Sequence, residues 1–209
     1  MKPIILRQHE VVRLRDHGSV IAWRVVKPQP PGGIGGISCK SFHPIFVTKR
    51  GVEVPGQLVF GAYDEDGEWG CKCPYGRTGE ERWVKETFAR IGIEGRGVAT
   101  VFRASGEFDS GKWDMPQSEW KGWRPSTQMP RWASRFTVTL DVGVKRIQEV
   151  TEEEAKMSGV QYILPVDVRR MPYPTKEIQG QLAATIESHT KGSWDRNDYF
   201  WKITCTLKK

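Results

Sequence analysis

The sequence predicts an α+β protein, mostly strands joined by turns with a few short helices, and three observations predict it. Residues 136–141 alternate Phe136, Val138 and Leu140 with Thr137, Thr139 and Asp141, the period-two pattern of a strand with one buried face. Near the C-terminus, Trp201, Ile203, Cys205 and Leu207 alternate in the same way with Lys202, Thr204 and Thr206. The 22 Gly and 13 Pro among 209 residues point to β-structure punctuated by turns. That length suits one elaborated domain over residues 1–209, with insertions at about 27–80 and 104–128.

Taken in order, residues 4–6 form a short apolar start. Residues 10–17 place Val11 and Leu14 on one side of a helical wheel, and Gly18 offers the stop. Residues 20–26 are β-branched and read as a strand, closed by Lys27-Pro28-Gln29-Pro30-Pro31. The glycines that follow lack the Gly-Lys-Ser/Thr ending of a phosphate loop. Residues 39–48 and 57–62 have strand character, with turns expected at Lys49-Arg50-Gly51 and Val54-Pro55-Gly56. The acidic run Tyr63-Asp64-Glu65-Asp66-Gly67-Glu68 reads as a hairpin turn, since the far glutamate of a calcium loop is missing. Residues 82–88 read as one strand, with Trp83, Lys85 and Thr87 facing away from Val84, Glu86 and Phe88. Another strand is expected over 98–103, followed by a Trp-rich, turn-rich insertion. Thr151 with Glu154 matches a capping box and starts a short helix ended by Gly159. A second helix is expected over 175–189, with Ile178, Leu182 and Ile186 as its buried stripe.

Composition narrows the function classes. No apolar run reaches the ~20 residues that span a bilayer, and residues 1–7 are too short for a signal peptide, so a cytoplasmic location is expected. Four cysteines, Cys39, Cys71, Cys73 and Cys205, are too few and irregular for a secreted disulfide framework. Cys71-x-Cys73 is closer than the usual zinc-ligand pair, so reduced thiols are expected and neither a metal nor a cofactor is predicted. The net charge of +7 favours an anionic partner. Nine Trp, four of them at 113, 120, 123 and 132, suit core packing, base stacking or partner anchoring.

Several stretches carry a resemblance along nearly the whole chain. Arg24-Val25-Val26-Lys27-Pro28-Gln29-Pro30, Cys73-Pro74-Tyr75-Gly76, Trp83-Val84-Lys85-Glu86-Thr87, Trp123-Arg124-Pro125-Ser126, Met129-Pro130-Arg131-Trp132-Ala133-Ser134 and residues 194–201 occur in this order. Together the chain resembles phage and prophage proteins carrying an ASCH domain. The resemblance implies a PUA-like fold, a small mixed β-barrel flanked by short helices, in a superfamily associated with RNA and modified-base recognition, and a phage- or prophage-encoded protein working in a bacterial host cell. Some small ASCH proteins are amidohydrolases that deacetylate acetylated cytidine with a Lys, a Thr and a Glu. At the matching positions this chain has Ser19, Ala22 and Ser158, so the family's hydrolysis is expected to be lost.

What remains is a binding module for RNA or DNA, stacking a base on Trp23 or Trp132 and contacting phosphates through Arg24, Arg131 and Arg135. A protein-interaction factor, such as a phage inhibitor of a host defence system working through residues 113–132, is the alternative. A relocated hydrolytic site would use Lys85 and Glu86.

Overall fold

In the computed structural model, which describes residues 1–32, 36–67, 69–93, 97–105, 122–160 and 178–208, the strands and helices follow the chain in this order. They are β1 (Pro3–Ile5), α1 (Gln8–His17), β2 (Ser19–Val25), β3 (Ser38–Phe42), β4 (Ile45–Val47), β5 (Glu53–Pro55), β6 (Val59–Tyr63), β7 (Gly70–Lys72), β8 (Glu81–Lys85), β9 (Phe88–Ile93), β10 (Gly97–Phe102), β11 (Thr137–Arg146), α2 (Glu152–Met157), α3 (Ile178–Glu187) and β12 (Tyr199–Leu207). The protein is thus mixed α+β, mostly sheet with few helices. Short 3₁₀ turns at Ser126–Gln128 and Arg131–Ala133 lead into β11.

The two alternating strands form the centre. A five-stranded sheet runs β1-β8-β11-β12-β2, with β1 parallel to β8 and the other neighbours antiparallel. Its two faces bury different sets of side chains. One face carries Val20 and Ala22 of β2, Val138, Leu140 and Val142 of β11, and Trp201, Ile203 and Cys205 of β12. These pack with Val11 and Leu14 of α1 and with Ala62, Cys71 and Cys73 from the smaller sheet β3-β6-β7. The other face offers Ile21, Trp23 and Phe200 to Ala155 of α2 and to Leu182 and Ile186 of α3.

This arrangement corrects the expected barrel. Among the described residues the main sheet stays open, with β1 and β2 as its two edges, and no closed barrel forms. The physical reason lies in β2, where four consecutive residues from Val20 to Trp23 are buried. Both faces of the sheet are covered by separate layers, so closing it on itself is not needed to hide apolar surface.

The helix signals hold at their ends. Gly18 takes the left-handed conformation (φ 75°) and its N–H donates to Leu14 O, ending α1. Thr151 Oγ1 accepts from Glu154 N–H while Glu154 Oε2 accepts from Thr151 N–H, the reciprocal cap that opens α2. Three strand readings change. Residues 82–88 break between β8 and β9 at Glu86-Thr87, residues 39–48 break at His43-Pro44, and Val54-Pro55 lies in β5 rather than in a turn. The start of the helix expected over 175–189, the glycines at 33–35, Glu68, and the insertion from 106 to 121 with Trp113 and Trp120 lie outside the described residues.

Candidate nucleic-acid interface

The candidate residues divide by what the fold places beside them. Trp23 alternates inward on β2 and is 3% exposed within the core under α2 and α3, so it offers no face for stacking. Arg24 points to the other side and closes on Glu10 of α1. Its Nη1 and Nη2 donate to the two carboxylate oxygens at 2.7 and 2.8 Å, and also to Trp23 O and Ile5 O. Burial alone would raise the Glu10 carboxyl, but the Arg24 guanidinium outweighs it and holds the group at about 2. Both proposed contributions of the Trp23-Arg24 pair to ligand binding are therefore corrected: one is core, the other half of an ion pair.

Arg135 has the same fate. Its Nε and Nη2 donate to the two oxygens of Glu86 at 2.9 Å, Nη1 donates to Ser105 Oγ at 2.7 Å, and its Cζ lies 4.3 and 4.8 Å from the ring centres of Phe102 and Phe136. Glu86 is 2% exposed and each of its oxygens accepts from Arg135, so the carboxylate is held in a buried ion pair. Lys85, the other half of the relocated hydrolytic site, donates its Nζ to Thr127 O at 2.8 Å and lies over the Trp83 ring. Each of these two neighbours is tied into a different contact.

The positions where the resemblance places catalytic groups lie on two separate elements, β2 and the end of α2. Ser19 begins β2. Ala22 is fully buried on the face packed against α1, while α2 covers the opposite face through Ala155. Ser158 caps the end of α2, is 2% exposed and donates its Oγ to Ala155 O. Gly159, at φ 76°, sits so close to α1 that a Cβ would fall 2.6 Å from His9 O.

Trp132 is different. It follows Arg131 in the 3₁₀ turn before β11 and is 66% exposed, the one tryptophan among the described residues left open to solvent. Beneath it, Ala133 and Met129 pack with Phe88 in a small buried cluster, which fixes the turn. From β9, Arg90 lays its guanidinium 5.5 Å from the centre of the Trp132 ring. Arg124 joins the same edge, because its backbone pairs with Phe88 two residues before Arg90. Arg90, Arg124 and Arg131 are exposed, and among the described residues none has a carboxylate partner. Sequence reading singled out Arg131 and Trp132 but missed Arg90 and Arg124. Arg90 lies beyond residues 82–88, where the alternation predicts the strand to end, and Arg124 lies in the Trp123-Arg124-Pro125-Ser126 stretch, where spacing assigns it no role.

One cavity of about 280 Å³ lies elsewhere, between the 28–32 loop and Tyr199. Its two arginines are engaged, Arg196 with Asp198 and Arg146 over the Tyr199 ring with Nη1 donating to Asn197 O. No group of three or more His, Cys, Asp or Glu able to hold a metal occurs among the described residues. Burial pushes the thiols of Cys39 and Cys205 up to about 12, so both stay protonated at neutral pH. No described helix is long and apolar enough to cross a membrane. No protein-family model, curated protein or solved structure matches the chain at a significant level.

Proposed function

We propose that this chain is a nucleic-acid-binding protein that stacks one base of a single strand on Trp132 and holds the flanking phosphates with Arg90, Arg124 and Arg131. The observation that carries the reading is an exposed indole with the Arg90 guanidinium against its ring, Arg131 beside it in the chain, and Arg124 on the segment paired with Phe88, none of the three with an acidic partner among the described residues. An indole accepts any base on its π-face, and uncompensated guanidinium groups at its rim supply the salt-dependent attraction that dominates nucleic-acid affinity. An arginine already poised against the ring adds a cation–π contact that preorganises the platform. The net charge of +7 steers a polyanion toward the molecule at long range. The resemblance to phage ASCH-domain proteins of the PUA-like superfamily supports the same reading and makes RNA the first ligand to try.

The test is fluorescence anisotropy of labelled 12-nucleotide single-stranded RNA and DNA with the purified protein. Binding at about 50 mM salt that weakens at least tenfold by about 200 mM is the expected result, since each phosphate contact adds roughly 0.7 to the slope of log K against log salt for single strands. Failure to bind either strand at about 50 mM salt overturns the proposal.

A further inference from the structure

The segment from His43 to Leu58 stands apart from the rest of the chain. It holds Ile45, Phe46, Val47, Val52, Val54 and Leu58, six large apolar side chains between 39% and 68% exposed. Strands β4 and β5 pair with each other and with no third strand among the described residues. The turn between them is built for a hairpin. Gly51 N–H donates to Thr48 O and Thr48 N–H to Val52 O, with Gly51 at φ 77°. At the base, Gly56 N–H donates to Pro44 O, and the Phe46 ring lies across Gly56 so closely that a Cβ there would fall 2.3 Å from it. A two-stranded ribbon with both faces wet is marginal by itself.

The hydrogen-bond phase of this ribbon shows which edge is open. The bonds at 44/56 and 48/52 make those the bonded pairs, and alternation makes Phe46/Val54 the pair between them. The N–H and C=O groups of Ile45 and Val47 therefore point outward from β4, unpaired among the described residues. The outer edge of β5 is blunted, because the outward residues there are Glu53, which is charged, and Pro55, which has no N–H.

We infer that β4 is a dimerisation edge, and that its occupant is β4 of a second copy of this chain, antiparallel about a two-fold axis at Phe46. Ile45 of one copy then faces Val47 of the other and exchanges both backbone bonds with it, and the symmetric pair repeats them. The segment is self-complementary, as an isologous contact requires, and the single open edge closes the assembly at two copies instead of extending a fibre. The merged four-stranded sheet gathers Ile45, Val47, Pro55 and the charged Glu53 of both copies on one face and Phe46 and Val54 of both on the other. Edge pairing buries only part of the apolar surface each ribbon exposes, so the contact falls below the ~1,200 Å² of standard interfaces and is a weak one. Charge agrees with this orientation. The two Arg50 residues at the tips end about 27 Å apart and the two Lys49 residues about 20 Å apart at ~3.4 Å per residue, well beyond the ~8–10 Å screening length, whereas a parallel pairing would set them side by side.

Sedimentation equilibrium of the full chain tests this. The apparent mass should rise from 23.8 kDa toward twice that value as the concentration increases from about 1 to about 100 µM, the range a weak interface implies. Val47→Pro removes an outward N–H and leaves the β4–β5 bonds intact, and Val47→Lys puts a charge on the edge. Both should hold the protein monomeric at about 100 µM with an unchanged circular-dichroism spectrum. Phe46→Cys places two thiols across a pair with Cα atoms about 4.5 Å apart, so oxidised glutathione should cross-link it to a covalent, disulfide-linked dimer, where the wild-type dimer stays non-covalent. A wild-type protein that stays monomeric at about 100 µM overturns the proposal and leaves the edge to a foreign strand. A dimer indifferent to both Val47 changes, or one that fails to cross-link through position 46, also overturns it.

Discussion

Two sets of arginines in this molecule share a side chain and differ in everything the fold adds to it. Arg24 and Arg135 reach inward, and each guanidinium forks onto a buried carboxylate, Glu10 or Glu86. Arg90, Arg124 and Arg131 stay exposed with no acidic partner among the described residues, Arg90 against the Trp132 ring. The first set holds layers together: Arg24 ties α1 to β2, and Arg135 ties the approach to β11 onto the end of β8. The second set is the one assigned to a ligand in the proposed function. A positive side chain is available for binding only where the fold has not already neutralised it, and sequence spacing alone does not reveal which case applies.

The sharpest way to break this comparison is to remove a carboxylate from the inner set. Glu86→Ala should cost about 3–5 kcal/mol of stability, because it leaves the Arg135 guanidinium packed between Phe102 and Phe136 without its counter-charge. Urea denaturation measures this, and the double change Glu86→Leu with Arg135→Met should recover most of the loss. Arg90→Gln, by contrast, should leave stability within about 0.5 kcal/mol.

Acid probes the other inner pair more gently. The folded-state carboxyl of Glu10 sits at about 2 against an ordinary 4.5, so its contribution is present in full above about 4.5 and is lost as pH falls toward 2. That loss is on the order of 3 kcal/mol for a fully buried group with this shift. Glu154 is also held down to about 2, burial opposing and Lys145 and Lys202 prevailing, and it adds to acid sensitivity in the same window. Thermal melts between pH 5 and pH 2 should show a falling midpoint, and Glu10→Gln should flatten that dependence.

A smaller effect is expected at the outer set. Trp132→Ala should leave the fold unchanged while weakening single-strand binding by about 1–3 kcal/mol, or roughly 5- to 150-fold, the range for losing one base–aromatic stack. Trp23→Phe, a change in the core, should alter stability and leave affinity alone. Anisotropy and denaturation on the same preparations separate the two.

The comparison also explains what the sequence made legible. Signals that act within a few residues came through, as in the Thr151 capping box, the Gly18 helix stop and the alternation of β11 and β12. Signals that depend on distant residues did not. Glu10 meets Arg24 across 14 positions and Glu86 meets Arg135 across 49, so both arginines read as free when taken locally. Val54-Pro55 reads as a turn because proline interrupts most strands, yet it lies on an outer edge where no N–H is needed. The closed barrel followed from the resemblance, whereas the burial of both faces of β2 keeps the sheet open. Trp132 was legible as one member of a Trp-rich stretch, but its exposure, and the arrival of Arg90 from another strand, belong to the fold.

The most direct measurement is the salt dependence of single-strand binding for wild type beside the triple variant Arg90→Gln, Arg124→Gln, Arg131→Gln. With three phosphate contacts removed, the slope of log K against log salt should become shallower by about 2, following roughly 0.7 per contact on single strands. An unchanged slope in a folded triple variant would contradict the assignment of these three arginines to the ligand.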